Sequence, residues 1–161
     1  MASLSRKEKV ENLSRNEKKW TALLMEAGWT VLPSVILERQ HALGLDAVDL
    51  NIILHLARHW WYSDNPPHPS KKTIAECMGI DQSTVRRRIA RMEKDGLLKR
   101  ESRYDKRYGQ ISNCYHFEGL IKGATPFAKE AILLRKERKE EDAKRRTRKR
   151  TLRLVKNDKD S

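Results

Sequence analysis

The stretch from Pro69 to Gly96 constrains this chain more than any other. Ser70 can cap a helix over Lys71–Met78, in which Ile74, Cys77 and Met78 share one face and turn inward. Gly79 admits a tight turn. Asp81 can cap a second helix, Gln82–Lys94, which Asp95-Gly96 closes. Two short helices joined this way cross steeply, at about 90–120°. The second helix therefore keeps one whole face clear of its partner.

Helical geometry divides that second helix. Val85, Ile89 and Met92 stand at i, i+4 and i+7 and face the core. Ser83, Arg86, Arg87 and Ala90 form the opposite stripe, where the small Ala90 lets the helix lie close to a partner. An arginine can bond guanine O6 and N7 together in the DNA major groove, worth about 1–3 kcal/mol of discrimination. Gln82 and Ser83, near the helix start, suit base edges or phosphate. Thr84 either contacts phosphate or ties the helix start to the turn. Arg88 and Arg91 fall on the flanks, where phosphate contact is expected. Ser70, Lys71 and Lys72, at the start of the first helix, join the same expected DNA-binding surface.

Leu97–Ser102 and Ile111–Phe117 read as two strands around the loop Arg103–Gln110. The loop carries Arg103, Lys106 and Arg107 interleaved with Tyr104 and Tyr108. Its cations suit the DNA backbone or a minor groove, and the alternative is a solvated hairpin.

The charge distribution follows this motif. The formal net charge is +13 over 161 residues. Residues 20–70 hold two Lys/Arg against five Asp/Glu, residues 71–128 thirteen against seven, and residues 129–161 fourteen against seven. The basic surface thus coincides with the expected reading unit and the tail, which fits a polyanionic partner. Met1 to Val10 are polar and charged, and no apolar run could serve as a signal or a membrane span. Cys77 and Cys114 are too few for a disulfide framework and read as small core or half-buried residues. Together these features predict a cytoplasmic, nucleoid-associated protein.

Catalytic and cofactor signals are weak. His55 and His59 stand at i, i+4, but no glutamate follows His55, so the metalloprotease pattern is absent. The Cys77 to Cys114 spacing makes no zinc finger. No Gly-rich phosphate loop occurs, and Tyr104 and Tyr108 lack the histidine cluster that a strand-cleaving tyrosine needs. No enzyme activity, cofactor, metal or small-molecule ligand is expected. Trp20 and Trp60 fall on apolar helical faces, and core packing is expected of both.

Outside the motif, Ser14 and Glu17 have capping-box spacing and predict an amphipathic helix over Ser14–Ala27. Trp20, Leu23 and Leu24 on that helix are candidate anchors of a homodimer, the alternative being that they pack within their own domain. Asp46 begins another helix, with Val48, Ile52, Ile53, Leu56, Ala57 and Trp60 as its apolar stripe. Thr125-Pro126 reads as a helix start. The expected organisation is a flexible basic arm (1–13), a DNA-binding domain with an N-terminal helical extension (14–128) and a charged C-terminal helix or tail (129–161).

Residues 46–117 resemble the winged helix-turn-helix domains of bacterial transcription regulators and of plasmid and phage replication proteins. The shared features are Pro69-Ser70, Ile74-Ala75, Gly79, Thr84-Val85 with Arg87, Ile89, Met92 and Asp95-Gly96-Leu97. The resemblance implies a mainly α fold, a winged helix-turn-helix with a small β-hairpin wing between flanking N- and C-terminal helices. It implies a sequence-specific binder of double-stranded DNA, most simply a transcriptional repressor acting by occlusion. The alternative is a non-catalytic replication-initiation or plasmid-maintenance protein.

Overall fold

A computed structural model of the chain describes residues 15–147. The expected basic arm, residues 1–13, and the tail residues Arg148, Lys149 and Arg150 lie outside the described residues. Helical residues 15–20 (α1) are followed by α2 (Ala22–Glu26), α3 (Ser34–Glu38), α4 (Ala47–Ala57), α5 (Lys71–Met78) and α6 (Gln82–Lys94). Strands β1 (Lys99–Asp105) and β2 (Gly109–His116) then form an antiparallel hairpin, and α7 (Glu118–Thr147) follows. The chain divides into two compact units between Ala124 and Thr125. No helix among the described residues is long and apolar enough to cross a membrane.

Local signals start and stop the central helices. Asp46 and Asp49 form a reciprocal capping box on α4. The Asp46 carboxylate accepts from the amides of Val48 at 2.9 Å and Asp49 at 3.0 Å, and Asp49 accepts from the Asp46 amide at 2.9 Å. Ser70 caps α5 by accepting from the Thr73 amide at 3.0 Å. Gly79 ends α5 in the left-handed region, at φ 65°, where a side chain would be strained. Asp81 caps α6, accepting from the Ser83 amide at 2.6 Å.

The helices close over one core. Ile52, Ile53 and Leu56 of α4, Ile74 and Ala75 of α5, and Val85, Ile89 and Met92 of α6 are buried together with Leu97, Leu98, Tyr115, Phe117, Leu120 and Ala124. Each large aliphatic side chain so buried contributes about 1.5–3 kcal/mol. Truncating the fully buried Ile89 to Ala would cost about 2–5 kcal/mol, because the cavity closes only in part. Trp60 stacks on Phe117, ring centroids 5.1 Å apart, and the Tyr115 amide donates to the Pro67 carbonyl at 2.9 Å. Both contacts fasten the base of the hairpin to the loop between α4 and α5.

Several expectations are corrected. The single helix over Ser14–Ala27 is broken at Thr21, whose φ is 72° and whose hydroxyl caps α2 instead. Trp20 is 63% exposed and packs in no core. Cys77 is exposed rather than inward, because Ile74 and Ala75 take the buried face of α5. The hairpin loop is shorter than Arg103–Gln110, since Arg103, Tyr104 and Asp105 pair with Ile111, Gln110 and Gly109. Helix α7 begins at Glu118, not at Thr125, and carries Pro126 inside it. Burial of Leu120 and Ala124, with the Leu120 amide donating to the Leu97 carbonyl at 2.8 Å, outweighs the local start signal at the proline.

Candidate nucleic-acid interface

The outer stripe of α6 is exposed. Gln82, Ser83, Arg86, Arg87 and Ala90 face solvent, and Thr84 is half-buried. Val85, Ile89 and Met92 are fully buried beneath them, so the stripe rides on a rigid backing. The N-terminus of α5 lies beside it. Ser70, Lys71, Lys72 and Gln82 form one wall of a groove, and Gln110, Ser112 and Asn113 of β2 form the other.

This groove is electropositive. Lys71 is half-buried, and its ammonium is pushed below the ordinary lysine range by burial, with Arg100 and Arg86 adding repulsion. Lys72 reaches Glu76 at 3.9 Å, but both side chains are largely exposed, so the pair is weak and leaves the ammonium available. The wing continues the surface. Lys106 and Arg107 are exposed at its tip and Arg103 is half-buried in β1. The Asp105 carboxylate accepts from the amides of Arg107 at 2.7 Å and Tyr108 at 3.1 Å, which closes the tip.

Arg88 and Arg91 depart from their expected place on the phosphate-facing flanks. Arg88 donates through Nη1 to Asp46 and lies 3.7 Å from Asp49; Arg91 donates through Nη2 to Asp49 and reaches the Gly44 carbonyl at 3.4 Å. Both turn back onto the acidic start of α4. Asp49 is completely buried, so its negative charge requires such partners. Burial raises the Asp46 carboxyl, but the Asp49 amide and Arg88 more than offset this and hold it below the ordinary range. Arg100 is likewise engaged. Its Nε and backbone N donate to Glu93 of α6 at 2.7 and 3.1 Å, joining the foot of the wing to α6.

The residues that sequence reasoning missed are Gln110, Ser112 and Asn113. Their signal was a polar run, Gln110, Ser112 and Asn113, on the strand that follows the basic loop. Among the described residues no group of three His, Cys, Asp or Glu side chains gathers to hold a metal ion.

Residues 43–98 match a family model described as a helix-turn-helix domain. No curated protein matches the chain. Among solved structures, the chain is similar to the N-terminal domain of DnaD protein from Geobacillus kaustophilus HTA426, at 18% identity and a TM-score of 0.51, over 74% of this chain and 96% of that one. At that identity the likeness shows the fold alone. The transcriptional regulator SlyA aligns at 17% identity over 84% of this chain and 74% of its own, with a TM-score of 0.37.

Proposed function

We propose that this protein, whose central residues form a winged helix-turn-helix domain, binds double-stranded DNA sequence-specifically. It would act without catalysis as a transcriptional regulator, most simply a repressor that occludes its operator. The observation that carries this reading is the exposed Gln82, Ser83, Arg86, Arg87, Ala90 stripe on α6, backed by core and flanked by a basic groove. Arg86 and Arg87 read base edges in the major groove. Gln82 and Ser83 take base edges or phosphate, and Thr84 sits against the backbone. Ser70, Lys71 and Lys72 hold phosphate at the start of α5, on the positive end of the helix dipole. Arg103, Lys106 and Arg107 hold phosphate from the wing. Arg88 and Arg91 instead fix α6 on α4. The charged residues 129–161 add affinity without sequence discrimination.

A single reading helix spans only a few base pairs, which favours a homodimer on a two-fold operator. The exposed Trp20, Leu23 and Leu24 support a contact through α1 and α2. The protein would act in the cytoplasm, on the nucleoid.

Footprinting on the source genome tests the role. A protected promoter supports repression. Protected repeats at a replication origin would replace it with the replication role, and no discrete site would sink sequence-specific reading. Arg86→Ala and Arg87→Ala should each lower the ratio of affinities for target and scrambled duplex while sparing the weak general affinity. An unchanged ratio in both would remove α6 from the groove.

A further inference from the structure

Tyr104 and Tyr108 are not absorbed by the duplex reading. Their side chains are 74% and 79% exposed, although they flank a closed turn. The Asp105 carboxylate closes that turn on the amides of Arg107 and Tyr108, and Gly109 accepts the left-handed φ of 71° that follows. The rings are therefore carried on a stiff tip rather than a floppy loop.

Their direction is set by the hairpin. Tyr104 is the cross-strand partner of Gln110, so the two side chains rise from the same face of the wing. Gln110 lines the groove beside Lys71, Lys72 and Gln82. Tyr104 thus shares its face of the wing with a residue that lines the groove, and Tyr108 lies beyond it at the tip. Cations and aromatic rings alternate there as Arg103, Tyr104, Lys106, Arg107 and Tyr108. The charge of Asp105 is engaged inside the turn.

Within an intact duplex every base already stacks on its neighbours, and an exposed ring finds only sugar and phosphate. An unpaired base offers a free face, and basic tracks interleaved with aromatic rings are the general device for holding single strands. We infer that the wing stacks unpaired bases through Tyr104 and Tyr108, so that the protein prefers a junction between duplex and single-stranded DNA to duplex alone. This rests on the reading that α6 and the groove hold the duplex arm. The wing would then hold the strand that leaves it.

The test measures binding of the full chain, at one fixed salt concentration, to a set of labelled DNAs. These are a blunt duplex, the same duplex with an unpaired tail on either strand, a longer blunt duplex matched in phosphate number, and the free strand. Matching phosphates separates stacking from added charge, because each neutralised phosphate alone strengthens binding. The tailed duplex should bind about tenfold more tightly than the matched blunt duplex. Tyr104→Ala/Tyr108→Ala should remove that preference and leave blunt-duplex affinity within about twofold. Tyr104→Phe/Tyr108→Phe should keep it, since stacking needs the ring and not the hydroxyl. Equal wild-type affinity for tailed and matched blunt duplex overturns the inference, as does a preference that survives the double alanine variant. A wild type that binds tailed but not blunt duplex, with its affinity lost on the double alanine change, supports the wing and overturns the duplex reading. Binding to neither overturns both.

Discussion

Arg88 of α6 and Asp46 at the start of α4, 42 residues apart in sequence, are joined side chain to side chain. The same Asp46 carboxylate caps α4. One acid therefore begins one helix and holds the other, and neighbouring arginines on α6 acquire opposite duties.

Arg88→Ala and Arg87→Ala should separate those duties. Arg88→Ala leaves Asp46 and the buried Asp49 short of a partner and should cost about 2 kcal/mol of stability. Arg87→Ala should change the melting temperature little and weaken discrimination between DNA sequences. Thermal unfolding and binding measured on both variants check this; a stable Arg88→Ala protein would mean that Arg91 alone satisfies the acidic pair.

Gly119 is required by close approach. A Cβ there would stand 1.8 Å from the Gly96 carbonyl oxygen, which is backbone and cannot swing away. Gly119→Ala should cost about 3 kcal/mol, since the start of α7 must lift off the turn after α6. Denaturant melts of the variant read this directly, and a midpoint equal to wild type would contradict the packing described.

Neutralising Arg103, Lys106 and Arg107 together should weaken binding to every DNA sequence. It should also flatten the plot of log affinity against log salt, by about 0.9 for each phosphate that is no longer neutralised. An unchanged slope would take the wing off the backbone.

Stability should fall in two steps as the solution is acidified. Burial, helped by Arg58, pushes His55 and His59 below their ordinary value of 6.5. Their neutral forms favour the folded state, so this contribution is complete above pH 6.5 and is lost as pH falls through the lowered values. Hydrogen bonds from Arg100, acting against burial, hold Glu93 below its ordinary 4.5. Its contribution is complete above pH 4.5 and is lost as pH falls through its lowered value. Melting temperatures across this range check both steps; His55→Gln/His59→Gln should abolish the first, and Glu93→Gln should shrink the second, which Asp46 shares.

Sedimentation tests the pairing of two chains. The wild type should run as a dimer at micromolar concentration, and Trp20→Ala/Leu24→Ala should run as a monomer with its reading domain still folded. A monomeric wild type would end the case for the α1–α2 contact in free protein.

The central helices were legible because their ends are written locally. Ser70, Gly79, Asp81 and Gly96 each act within a few residues of themselves. The buried and exposed faces of α6 followed from its spacing alone. The pairing of Arg88 and Arg91 was not legible, since their partners lie on another helix and an arginine on a flank suits phosphate or carboxylate equally. The start of α7 was hidden for a related reason. Thr125-Pro126 is a strong local signal, but Leu120 and Ala124 are held by a distant core. The break at Thr21 has no marker, because a β-branched residue is a poor candidate for positive φ.

The bond between Glu93 and Arg100 gives the molecule the character of a fixed gauge. With α6 clamped to the foot of β1, the span from the exposed face of α6 to the wing tip is held fixed. If α6 and the wing bind DNA as proposed, any disagreement between that span and a given stretch of DNA would be absorbed by bending or twisting the nucleic acid. Base pairs that no side chain touches would then influence affinity through their stiffness.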